Sequence, residues 1–117
     1  MPVTCTNYKL KCGGCPNQPY PDQLKHKQQL EQRLLGRFAP VSPVLGQAEP
    51  WHYRNKAIAT FATGPRGRLT CGIYAAGTHR VLPYTDCLLQ DTVINQTIAA
   101  VLEAARACRW PAFEEDR

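Results

Sequence analysis

The sequence predicts an α+β fold: a small antiparallel β-sheet with two flanking helices and an N-terminal Cys-rich loop spaced to bind a metal or cluster. Three observations lead there. Segments 21–35 and 92–106 space their apolar residues as helices do, and the stretch between them alternates apolar and polar residues as strands do. Three of the six cysteines fall within the first fifteen residues. The 117 residues, 44% hydrophobic and 20% charged, suit one compact globular domain rather than two.

Residues 1–19 read as an irregular loop centred on Cys12-Gly13-Gly14-Cys15-Pro16, because Gly and Pro at that density exclude regular structure. Residues 20–50 read as a helix followed by a Pro-rich linker. Pro21 suits the first helical position and Gly36 the residue just past the end. Leu24, Leu30, Leu34 and Leu35 share one broad face of this helix. Pro40, Pro43, Gly46 and Pro50 mark the linker.

Residues 51–117 read as an α/β central segment. A β-hairpin is expected over 51–62 and 68–75, with its turn at Thr63–Gly67. In its first strand Trp51, Tyr53, Ala57, Ala59 and Phe61 alternate with His52, Arg54, Lys56 and Thr60. In its second, Leu69, Cys71 and Ile73 share a face, which puts Cys71 in the core. A third strand follows around Arg80–Leu82. The last helix spans Thr92–Arg106, with Asp91 as N-cap and Ile94, Ile98, Val101, Leu102 and Ala105 as its apolar stripe. Pro111 closes it, and Cys108 is expected to pack near the stripe.

The formal charge of +5 resides in residues 1–60, where eight basic side chains face three acidic ones. A polyanion would be drawn to that half. No apolar run is long enough to span a bilayer, and Thr4–Lys11 is polar where a signal peptide needs an apolar core. The expected compartment is therefore cytoplasmic, with no membrane partner. In a reducing cytosol, cysteines at these spacings point to metal ligands rather than disulfides.

Cys5, Cys12 and Cys15 form the most specific local pattern. A two-residue gap lets two thiolates reach one metal centre, and Gly13 and Gly14 leave their N–H groups able to turn toward sulfur. Cys87, just before the second helix, is the best fourth ligand. Spacing alone suits zinc and iron–sulphur clusters alike, with zinc ahead. His26, His52 and His79 read as surface or hydrogen-bonded residues. The zinc reading would make the chain a non-enzymatic nucleic-acid-binding module.

The run Cys5-Thr6-Asn7-Tyr8-Lys9-Leu10-Lys11-Cys12-Gly13-Gly14-Cys15 resembles the N-terminal cluster motif of RNA (uracil-5-)-methyltransferases, in particular the 23S rRNA enzymes. Tyr20-Pro21-Asp22-Gln23-Leu24-Lys25-His26-Lys27 is similar to the helix motif of that family, and Tyr53-Arg54-Asn55-Lys56 to its strand motif. Gly72-Ile73-Tyr74, Gly77-Thr78-His79-Arg80-Val81 and Asp86-Cys87-Leu88-Leu89 follow in the family's order, so the resemblance covers roughly residues 5–110. Thr78 stands where serine is common and Leu88 where proline is common; neither is a ligand.

The resemblance implies a 4Fe-4S cluster on Cys5, Cys12, Cys15 and Cys87, with zinc as the alternative. Its role would be structural or in RNA contact. The resemblance also implies RNA contact by Arg54 and Lys56, with 23S rRNA preferred over tRNA. In the family, a cysteine thiolate adds to C6 of a flipped uracil and C5 takes the methyl group of S-adenosyl-L-methionine. No Gly-rich cofactor loop occurs here. The catalytic domain, with its S-adenosyl-L-methionine, is expected beyond residue 117, and this chain alone is expected to be inactive. Its start near Cys5 resembles members without an N-terminal β-barrel. Without a catalytic domain, the apolar face of helix 21–35 is expected to drive self-association and to leave residues 16–50 loose.

Overall fold

The computed structural model describes residues 5–114. The first four residues of the expected loop at 1–19, and the last three of the expected 51–117 segment, lie outside the described residues. Two helices, α1 (Tyr20–Leu35) and α2 (Thr92–Ala107), accompany three strands, β1 (Thr60–Thr63), β2 (Leu69–Tyr74) and β3 (Val81–Pro83). The strands form one antiparallel sheet in the order β1-β2-β3. The chain divides into two compact units: Asn17–Pro50, and the cysteine loop up to Pro16 together with the chain from Trp51 onward.

In the unit built on the sheet, β2 is the central strand. Thr60 pairs with Gly72 and Thr63 with Leu69 on one side, and Ile73 pairs with Leu82 on the other. The face expected from alternation is formed: Leu69 and Cys71 are buried, and Ile73 packs with Cys12, Ala75 and Leu82. The β2–β3 turn needs Gly77, which adopts a φ of +69°, where a side chain would be strained. Thr78 reinforces the turn by donating its hydroxyl to the Ala75 carbonyl at 2.9 Å.

Helix α2 packs on β2. Its buried Ala105 faces the sheet, and the Nε of Arg106 donates to the Leu69 carbonyl at 2.8 Å. Asp91 caps its N-terminus by accepting from the Val93 N–H at 2.8 Å, as its position suggests. The far end closes in a Schellman arrangement: Trp110 N–H reaches the Ala105 carbonyl and Arg109 N–H the Arg106 carbonyl, with Arg109 at φ +55°. That closure turns Cys108 outward. Cys108 is exposed instead of packed, a correction to the sequence reading. Val101 of the expected stripe is also 45% exposed.

The first strand is much shorter than alternation suggests. Residues 51–59 form no strand of the sheet. His52, at φ +50°, breaks the extended run. Beyond Gly72, moreover, the side of β2 used by β1 is already taken. Gly13 N–H donates to the Tyr74 carbonyl and Ala76 N–H to the Lys11 carbonyl, each at 2.8 Å, and Cys12 pairs with Ala75. Alternate residues of a strand bond to the same side, so the cysteine loop occupies the place an extended β1 would need. Residues 52–54 pair instead with the segment after Cys87, through His52 N–H to Leu88, Arg54 N–H to Leu89 and Asp91 N–H to Arg54.

In the second unit, α1 begins and ends within a residue of expectation. None of its residues is buried; Leu34 and Leu35 are about half exposed. The expected linker has no regular structure, but it is pinned back along the helix. Gln28 accepts from the Val44 N–H at 2.6 Å and donates to the Ser42 carbonyl, and the Tyr20 hydroxyl accepts from the Gln47 N–H at 2.7 Å.

Candidate metal centre

The cysteine loop is not wholly irregular. Tyr8–Leu10 form one 3-10 turn, which Lys11 ends in the left-handed region. The loop then runs edge-on to β2, close enough that a Cβ on Gly13 would lie 2.7 Å from the Tyr74 carbonyl oxygen. Any side chain at position 13 would push the loop off the sheet. Asn7, itself buried, ties the Cys5 side of the loop to the sheet by donating from Nδ2 to the Pro83 carbonyl at 2.8 Å.

This docking brings together cysteines that lie far apart in sequence. Burial pushes the Cys12 thiol above its ordinary pKa; the Gly14 N–H counters that shift, and Cys15, Cys5 and Cys87 raise it further. Cys12 is therefore within electrostatic reach of each of the other three expected ligands. Thiolates that oppose one another's ionisation are stabilised by a cationic centre placed among them. None of the six cysteines is in a disulfide. Among the described residues, no three His, Cys, Asp or Glu side chains converge tightly enough for a single metal ion.

Two backbone amides point at sulfur. Asn7 N–H approaches Cys5 Sγ and Gly14 N–H approaches Cys12 Sγ, each at 3.4 Å. Of the two glycine amides expected to turn toward sulfur, Gly14 does so, whereas Gly13 bonds to the sheet. Such N–H to sulfur bonds favour the thiolate form and tune iron–thiolate centres. Cys71 stays outside this group as a core residue, and burial raises its thiol pKa.

Cys87 is held by Asn95 of α2, which is buried. The Asn95 Oδ1 accepts from the Cys87 N–H at 3.2 Å, and its Nδ2 donates to the Cys87 carbonyl at 3.0 Å and to Asp86 Oδ1 at 2.7 Å. Gln90 is buried beside it; its side chain accepts from the Tyr84 hydroxyl, and its carbonyl lies 2.8 Å from His52 Nδ1. Sequence reasoning missed Asn7, Gln90 and Asn95. The legible signal was a polar residue, Asn95, adjoining an apolar helical stripe.

The two expected RNA-contacting residues are placed differently. Lys56 is exposed and borders a shallow groove of about 390 Å³ with Asn55, Ala57, Ala59 and α2 residues Ile94 and Ile98. Arg54 is half-buried, and its guanidinium donates to the Gly14 carbonyl inside the cysteine loop. No described helix is long and apolar enough to cross a membrane.

No protein-family model matches the chain. It is 38% identical over 112 residues to an uncharacterised RNA methyltransferase of Gloeobacter violaceus, an alignment covering 90% of this chain and 24% of that protein. A Nostoc RNA methyltransferase is also 38% identical, over 114 residues, covering 92% of this chain and 25% of that protein. One from Halalkalibacterium halodurans is 34% identical over 115 residues, with 92% and 25% covered. The chain spans about a quarter of the length of the curated relatives it matches.

Proposed function

We propose, from the premise that this chain is homologous to the N-terminal quarter of RNA methyltransferases, that it is the cluster-binding, RNA-facing part of an S-adenosyl-L-methionine-dependent 23S rRNA uracil-5-methyltransferase. The observation that carries the proposal is the docking of the cysteine loop on the sheet, which puts Cys12 within electrostatic reach of Cys5, Cys15 and Cys87, with amides aimed at the sulfurs of Cys5 and Cys12. That donor set fits a 4Fe-4S cluster. All four donors are thiols, Cys12 is buried and the other three are partly so, and each can bind a separate iron. When bound, the cluster would supply iron–thiolate bonds that cross-link the loop to the Cys87 segment, a structural role, because methyl transfer to uracil requires no electron.

The chain's own residues do the rest. Gly13 lets the loop lie flat on β2, Asn7 and Asn95 hold the Cys5 and Cys87 segments, and Lys56 presents its charge to solvent. Lys9 and Lys11, exposed on the loop itself, add phosphate attraction. RNA contact by Lys56 is direct in this reading, whereas Arg54 acts through the loop it holds.

The test is anaerobic purification with iron, sulphide and zinc analysis and a visible absorption spectrum, followed by binding to 23S rRNA fragments and to tRNA. Cluster iron and sulphide that vanish in Cys87→Ser, with preferential binding to the rRNA fragments, are expected. Lys56→Ala should lower RNA affinity and reduce the salt-dependence slope by about one. Stoichiometric zinc without iron, or equal binding to tRNA, would refute the corresponding part.

A further inference from the structure

The cysteine set comes from two stretches of chain, the loop at 5–15 and the single residue Cys87, and Arg54 bonds to the loop and to the residues that follow Cys87. Its backbone N–H donates to the Leu89 carbonyl and its carbonyl accepts from the Asp91 N–H, both at 2.8 Å, which fixes it to the segment that follows Cys87. Its side chain crosses to the other stretch and donates from Nη1 to the carbonyl of Gly14. Gly14 lies between Cys12 and Cys15 in sequence, and its own N–H is the one aimed at Cys12 Sγ. One residue thus ties the two thiol-bearing stretches together and anchors, through its carbonyl, the glycine whose own amide faces sulfur.

We propose that Arg54 is a positioning residue for the thiol cluster, registering the Cys12–Cys15 loop against the Cys87 segment through its bond to Gly14. The inference rests on the cluster reading above. The chemistry favours arginine for the task. A guanidinium reaches across a gap with a planar, fixed set of donors and stays charged when half-buried. Tyr53 supports it, with the guanidinium carbon 5.9 Å from the ring centroid.

The backbone bonds of Arg54 do not depend on its side chain, so the fold and the bridge can be separated. The variants are Arg54→Met, which keeps an apolar stem but no donor, and Arg54→Lys, which keeps a charge and a donor. In the metal-free 117-residue chain, amide hydrogen exchange at Gly14 should rise about tenfold in Arg54→Met, with exchange at Asp91 and along α2 unchanged. Arg54→Lys should restore part of the protection. In the iron-loaded chain, loss of iron to a ferrous chelator should be about tenfold faster in Arg54→Met and intermediate in Arg54→Lys.

Unchanged Gly14 exchange in a folded Arg54→Met protein would overturn the proposal. If Arg54→Met loses α2 protection as well, Arg54→Lys decides: a folded protein with an unprotected Gly14 overturns it, and restored protection supports it. Wild-type protein that takes up no iron would sink the cluster reading, and the exchange result would still judge the role of Arg54.

Discussion

Replacing Asn95 is the sharpest probe of how the chain holds Cys87. The side chain is 6% exposed and makes three hydrogen bonds, to the Cys87 N–H, the Cys87 carbonyl and Asp86. A buried group left unpaired costs about 1–3 kcal/mol, and a typical paired one contributes about 1 kcal/mol net. Asp86 is exposed and Cys87 partly so, so water recovers much of what Asn95→Ala removes. The part-buried Cys87 amide is left without its side-chain acceptor. The expected loss is about 2 kcal/mol, equivalent to a fall in Tm of roughly 8 °C for a chain of this size. Urea denaturation followed by circular dichroism measures it. Asn95→Asp keeps an acceptor for the Cys87 N–H but loses both donors and sets a second carboxylate against Asp86, so it should be no more stable than Asn95→Ala at pH 7. A loss under about 0.5 kcal/mol, within the range of ordinary surface substitutions, would refute the reasoning, as would an Asn95→Asp protein more stable than Asn95→Ala.

Other outcomes follow from the same contacts. Asp91→Ala removes the acceptor for Val93 N–H and should cost about 1 kcal/mol, read from the same denaturation curves. Gly13→Ala forces a Cβ toward the Tyr74 carbonyl, so the amides of Gly13 and Ala76 should lose exchange protection together while α2 keeps its own. Leu82, 3% exposed at the centre of the small core, should cost about 2–4 kcal/mol as Leu82→Ala. Timed iodoacetamide labelling with mass spectrometry should modify exposed Cys108 long before Cys71. Burial restricts access to Cys71 and raises its pKa, which lowers its thiolate fraction at any pH below that value.

The elements with strong local signals were legible. Helical spacing with Pro21 and Gly36, or with Asp91 as cap, located both helices to within a residue or so. Period-two alternation identified β2 and the burial of Cys71. Cys87 is picked out by its place just before the second helix and by the resemblance, not by periodicity; the structure puts it within electrostatic reach of Cys12. The first half of the expected β1 failed for a non-local reason. Its alternation is real, but residues 11–13 compete for the same edge of β2 and hold it. Cys108 failed because a left-handed Arg109 redirects the chain where the apolar pattern suggested continuity. Arg54 looked like a strand-face charge; only the position of Gly14, forty residues away, shows what it bonds to.

The loop's seat on β2 also bears on solubility. An open strand edge offers unpaired N–H and C=O groups to any other chain. Past the end of β1, the Tyr74 carbonyl of β2 and the Ala76 amide just beyond it face that edge, and the cysteine loop satisfies both. The loop is therefore a sheath as well as a ligand carrier. Lifting the loop, as Gly13→Ala should, would uncover that edge, and light scattering should then rise with protein concentration. The same few backbone bonds that seat the loop therefore also close the sheet on that side.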